Sequence, residues 1–182
     1  MVPVPALWLP ILLSGVLVFL ASSLFHMLLK YHRSDAGPLP DEDKVADALR
    51  PLRIPPGDYS LPYGAGPGSP ELMEKFKQGP VAILTVMPNG LPALGVNLAR
   101  WFGYSLLVGA VAAYVAGLTL GPGAEYSLVF RVVGTVAFAG YSLAILQSSI
   151  WWSRSWSFTL KTMADGVVYA LLTAGTFGWL WP

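Results

Sequence analysis

The chain contains no cysteine. That excludes disulfides, thiolate zinc sites, iron–sulfur clusters and thiol nucleophiles together. Charge is scarce as well: Asp, Glu, Lys and Arg make up 12% of the residues, about half the share of a soluble domain. Eleven basic side chains against ten acidic ones leave a net charge of +1, so no basic surplus exists for nucleic acid. No His-Glu-x-x-His motif, Ser–His–Asp order or paired catalytic carboxylate is evident, and the enzyme case is poor. What is abundant is apolar surface, at 54% of 182 residues. This composition belongs to a membrane protein.

Charge-free runs locate the spans, since a helix crossing about 30 Å of hydrocarbon needs roughly 20 mostly apolar residues. Four are expected: residues 6–29, 97–120, 126–149, and a shorter one that starts near Thr159 and takes in Asp165. The first lacks a basic leader and is longer than a signal-peptide core, so it reads as an anchor. The fold class is an all-α membrane protein in three parts: an N-terminal helix (1–29), a Pro/Gly-rich cytoplasmic segment (30–96) and a three-helix membrane region (97–182). Ten of the eleven Lys and Arg residues fall on one side of these spans, and only Arg131 lies toward the other. The positive-inside bias then puts both termini outside and residues 30–96 in the cytoplasm. Trp8, Trp179 and Trp181 mark the outer face; Trp101, Trp151, Trp152 and Trp156 mark the inner one. With Trp181-Pro182 at the end of the sequence, nothing is expected beyond the bilayer after helix four.

The middle segment holds eight of the ten acids. Asp41-Glu42-Asp43 opens a short helix to about Arg50, with acids where the helix dipole favours them. This acidic run, with Asp47, lacks the Gly and terminal Glu of an EF-hand and reads as a solvated helix start. Tyr59–Gly68 should be irregular. Within it, Tyr63-Gly64-Ala65-Gly66-Pro67-Gly68 matches a phosphate loop in glycine count alone, so it reads as a flexible loop. Ser69-Pro70 caps a second helix to Gln78, which carries a Glu71–Lys75 pair and stops at Gly79. Val81–Met87 followed by Pro88-Asn89-Gly90 predicts a hairpin returning to about Leu94.

Small residues recur every four positions on two membrane helices: Ser105, Gly109, Ala113 and Gly117, then Gly166, Ala170, Ala174 and Gly178. Such stripes let helix backbones approach closely in lipid. Packing inside the chain's own bundle is the plain reading; a face for another subunit is the alternative. The cluster Trp151, Trp152, Arg154 and Trp156 suits an anchor along the headgroups and equally a docking surface.

Four polar residues in or beside the spans carry the remaining chemistry. His26, in the inner third of helix one, is a candidate ligand for a metal, a haem or a pigment, set against a hydrogen-bonded structural role. His32, six residues on, points about 240° away on a continuous helix, so the two histidines should not chelate. Asp165 lies level with His26 and needs a partner, with His26, Lys161 or Arg154 in range; a His26–Asp165 polar pair is expected at the inner end. Arg131, at the opposite face, snorkels outward or meets Glu125.

Residues 7–35 (LWLPILLSGVLVFLASSLFHMLLKYHRSD), 74–88 (EKFKQGPVAILTVMP), 130–138 (FRVVGTVAF) and 165–182 (DGVVYALLTAGTFGWLWP) resemble a family of small uncharacterised bacterial membrane proteins. The resemblance implies a bacterial plasma membrane and carries no activity or site residues. The leading functional reading is a non-catalytic accessory subunit of a larger membrane complex, such as a respiratory or photosynthetic one. Its partners are lipid and other membrane subunits, with no nucleic acid; the sequence identifies no cofactor, and none is expected in this reading. A cofactor- or metal-binding membrane protein using His26 is the alternative. A small transporter comes third, because the helix middles are apolar where it would want polar or broken helices.

Overall fold

A computed structural model describes residues 1–64 and 68–182. Part of the glycine-rich loop, residues 65–67, lies outside the described residues. The chain divides into two compact units, residues 1–36 with 93–182, and residues 37–92.

The first unit is helical. Helix α1 runs Val4–Leu28, opening as a 3₁₀ turn and closing in a π-helical turn at Leu24–Leu28. Among the described residues three helices are long and apolar enough to cross a membrane: α1, the helix over Leu94–Thr119, and the run Tyr126–Trp152. The membrane character expected from composition is therefore present.

In the second unit α2 spans Glu42–Leu49, β1 Gly57–Leu61, α3 Pro70–Gln78 and β2 Ala82–Val86. Ser69 Oγ accepts from the Leu72 amide at 3.1 Å, and Lys75 reaches Glu71 at 2.7 Å. The acidic run is solvated: Asp41 pairs with Lys44 and Asp47 with Arg50, all four exposed. The expected hairpin is corrected. β2 does not turn back at Pro88-Asn89-Gly90; it pairs antiparallel with β1, Gly57 opposite Val86 and Leu61 opposite Ala82. Only Leu91, Pro92 and Ala93 separate that turn from the next helix, and Pro92 has no N–H to donate to a ladder. The return strand has no room, so the segment expected to be irregular from Tyr59 supplies the partner instead.

Back in the helical unit, α4 covers Leu94–Thr119, α5 Tyr126–Tyr141, α6 Leu146–Trp152 and α7 Trp156–Trp179. The third apolar run is broken where a continuous helix over 126–149 is expected. At Ser142 the backbone leaves the helix, and Ser142 Oγ donates to the Met163 carbonyl at 3.1 Å. Helices α1, α4, α5 and α7 pack in a ring, α1 against α4 and α7, and α5 against α4 and α7. One core layer gathers Leu7, Ala112, Ala116, Val133 and Phe177; another gathers Val18, Val108, Ala137, Tyr169 and Ala170. The outer faces are apolar too, with Leu107 59% and Leu171 51% exposed. A four-helix ring dressed in leucine is at home in lipid rather than in water.

Both small-residue stripes are packed within the chain. Ser105, Gly109, Ala113 and Gly117 are buried, and a Cβ on Gly109 would stand 3.5 Å from Ile11 and Ser14 of α1. On α7, Gly166, Ala170 and Ala174 are buried and Gly178 is half-buried. Gly166 passes the Tyr141 carbonyl so closely that a Cβ would sit 2.8 Å from its oxygen.

The ends of the ring are tied differently. At one end the Val2 amide donates to the Gly117 carbonyl at 3.0 Å, and Trp181 Nε1 donates to the Gly121 carbonyl at 2.9 Å. The other end carries Tyr31, His32, Asp35, Lys161 and Asp165, which bond to one another.

Candidate functional site

The site forms where α1 stops. The π-turn at Leu24–Leu28 closes with the Leu29 amide donating to the Leu24 carbonyl at 3.1 Å, and Leu29 then turns extended (φ −83°, ψ 127°). A 3₁₀ turn over Lys30–Ser34 follows and folds back along the helix end. This break overturns the expected 240° separation of the two histidines, which holds only on a continuous helix. The His26 and His32 rings stack with centroids 4.4 Å apart and planes 8° from parallel.

Asp165, buried on α7, faces this returning strap. His32 Nε2 donates to Asp165 Oδ2 at 2.8 Å, and the Tyr31 hydroxyl donates to Asp165 Oδ1. His32 Nδ1 donates to Asp35 Oδ2 at 2.5 Å. Lys161, one turn before Asp165, completes the closure. Its ammonium donates to the Tyr31 carbonyl at 2.8 Å, Ser34 Oγ at 2.7 Å and Asp35 Oδ1 at 2.9 Å. The expected pair is thus reassigned: His26 joins the cluster, but the side chains bonded to Asp165 are His32 and Tyr31, and Lys161 goes to Asp35. The strap also explains why residues 30–36 belong with the helices rather than with the middle segment, where a boundary at residue 30 puts them.

Electrostatics follow the geometry. Burial favours the neutral ring of His32, yet the hydrogen bonds and charges of Asp35 and Asp165 outweigh it and raise its pKa above the ordinary value. Burial also opposes ionisation of Asp35, and here His32 and Lys161 prevail, lowering it. Burial, then the Asp165 carboxylate, pushes the Tyr31 hydroxyl well up. The result is a salt-bridged latch in which each member's charge is answered by another.

His26 stands apart from that closure. Its Nδ1 lies 3.0 Å from the Ser22 carbonyl, which can only accept, so Nδ1 is the donor and Nε2 is left out of that bond. Ser22 Oγ accepts from Trp101 Nε1 at 2.7 Å, which makes Trp101 a packed member of the bundle. The ligand atoms of His26, His32 and Asp165 all lie within 4.8 Å of one another. Sequence reasoning singled out two of the three; the signal for His32 was present only as a second histidine just past the helix end.

The other predicted residues lie elsewhere. Trp151, Trp152 and Trp156 are 75%, 60% and 55% exposed at the corner joining α6 to α7, where Ser153 takes a left-handed conformation. Arg154 stands 5.8 Å over the Phe158 ring. Arg131 is exposed on α5 and forms no ion pair with Glu125 among the described residues. Comparison with family models, with curated proteins and with solved structures finds no match to this chain.

Proposed function

We propose that this chain is a non-catalytic accessory subunit of a larger membrane complex in the bacterial plasma membrane, crossing it four times with both termini outside. One observation carries the non-catalytic reading. The ionisable side chains clustered between the helices are gathered at one end of the ring and answer one another there, whereas a transporter or membrane enzyme wants open polar groups near mid-membrane. The bacterial compartment follows from the sequence resemblance.

α7 is the fourth crossing in this reading. Its 24 residues rise about 36 Å, enough for the hydrocarbon core. The two charges that lower its hydropathy, Lys161 and Asp165, both lie in its first half and are consumed by the latch. A cysteine-free chain makes the orientation easy to test. With Ser60→Cys, a membrane-impermeant thiol reagent should fail to label intact cells. Gly121→Cys should be labelled; its Cβ meets open space, whereas Gly123 has φ +72° and tolerates no side chain without strain. The reverse pattern overturns the orientation.

Both small-residue stripes are filled from within, and in this reading the partner meets the tryptophan corner. Exposed Trp and Arg suit a protein contact. The wild-type protein in mild detergent should migrate as an assembly well above 19.5 kDa. The variant with Trp151, Trp152 and Trp156 all changed to Ala should run as the free chain. If wild type is already the free chain, or if the triple variant keeps the assembly, the subunit reading fails.

A further inference from the structure

We infer that His26, His32 and Asp165 form a binding site for one divalent transition metal of the Zn²⁺ class, a role beyond that of a structural latch. Two imidazoles and one carboxylate are a borderline-soft N₂O donor set, suited to Zn²⁺ and its first-row neighbours and unlike the all-oxygen sets of Ca²⁺ or Mg²⁺. The set alone would be weak evidence. The groups behind it supply the second observation.

Metal-binding histidines are oriented by what their other nitrogen holds, and ligating carboxylates are themselves hydrogen-bonded. All three candidates meet that condition. His26 Nδ1 donates to the Ser22 carbonyl at 3.0 Å, which aims Nε2 away from the helix. His32 Nδ1 donates to Asp35 Oδ2 at 2.5 Å, the carboxylate–histidine arrangement that raises ligand basicity. Asp165 Oδ1 accepts from the Tyr31 hydroxyl, leaving Oδ2 toward His32 Nε2 at 2.8 Å. Each ligand therefore has one polar atom tied to the protein and one directed to the cluster. Three protein ligands leave a coordination position for water or a small anion, the pattern of open zinc sites. A further polar atom stands on the same helix: the Tyr169 hydroxyl, one turn beyond Asp165, is buried without a hydrogen-bond partner among the described residues.

Loading requires a small, specific movement. Zinc holds donors at about 2.0–2.2 Å, so ligand atoms spread over as much as 4.8 Å must draw together by about 1–1.5 Å. Nearly parallel rings cannot both aim a lone pair at one ion, so one must leave the stack. His26 is that ring, because it is exposed and sits on a π-turn, an irregularity frequent at functional sites. The proton that His32 Nε2 shares with Asp165 leaves to solvent as the metal takes its place.

The test uses the full chain in detergent, freed of metal by chelator and then titrated with Zn²⁺ or Co²⁺. The expected result is one equivalent bound per chain. With Co²⁺, the intense visible bands of low-coordinate ion with nitrogen ligands should appear. His26→Ala is the decisive variant. Among the described residues its side chain bonds only to Ser22, so the latch and the fold survive, while affinity falls about 100-fold and the Co²⁺ bands disappear. Asp35→Asn keeps all three ligands and weakens binding 10- to 100-fold. Unchanged affinity in His26→Ala, or no stoichiometric binding by wild type, overturns the site.

Discussion

Gly166→Leu is expected to lower the melting temperature of the detergent-solubilised protein by about 6–12 °C. The figure comes from about 3 kcal/mol for overpacking, at about 2–4 °C per kcal/mol for a chain of this size. Gly166 lies where α7 crosses the end of α5, and even a Cβ there would stand 2.8 Å from the Tyr141 carbonyl oxygen. The obstacles are the Ser142 hydroxyl and, beside it, the Tyr141 backbone, which cannot rotate aside as a side chain can. The same crossing carries the Ser142 to Met163 hydrogen bond, so opening it loses polar as well as apolar contact. Leu171→Phe, on the lipid-facing side of the same helix at 51% exposure, should leave melting unchanged. Equal melting of Gly166→Leu and wild type would show that α7 does not pack against this turn.

Asp165→Ala should destabilise the metal-free protein by about 3 kcal/mol, the low end of the range for breaking a buried ion pair. The low end applies because His32 retains Asp35 and has a side chain 12% exposed. The loss should depend on pH. His32 is raised by folding, so its contribution is complete below its ordinary value of 6.5 and is lost as pH climbs through the raised one. Asp35 is lowered, so its contribution is complete above 3.8 and is lost as pH falls through the lowered value. Both are at full strength between those two ordinary values. Thermal melts of wild type and Asp165→Ala should therefore differ most in that window and converge on the alkaline side as His32 gives up its charge. A difference independent of pH would mean that Asp165 acts through packing alone.

Local chemistry made the periphery readable. Ser69 caps α3, and the acids from Asp41 open α2, because capping and dipole effects act within a few residues. The strand pairing is not legible locally, for the complementary reason. A turn signal at Pro88-Asn89-Gly90 says that the chain bends, but not which strand lies beside β2. The partner β1 is a five-residue segment with polar Asp58 and Ser60, and it becomes a strand by pairing with β2.

The candidate site divides in the same way. His26 and Asp165 stood out because a titratable group in an apolar run is costly enough to need a reason. Their depth in the two helices could be counted from the sequence, and so could their placement at one end of the bundle. His32 could not be placed, since it depends on whether helix α1 continues or stops at Leu29. No proline or glycine marks that stop; the strap is held by Lys161 and Asp165, which are about 130 residues further on.

The sequence by itself determined the membrane class, three of the apolar runs and the Ser69 cap of α3, because hydrophobic transfer and capping are paid residue by residue along the chain. Only the tertiary structure decided the pairing of β1 with β2, the inward turn of both small-residue stripes and the meeting of His26, His32 and Asp165. Each of those rests on contacts between segments distant in sequence, where several conformations are locally equivalent and the surroundings select one.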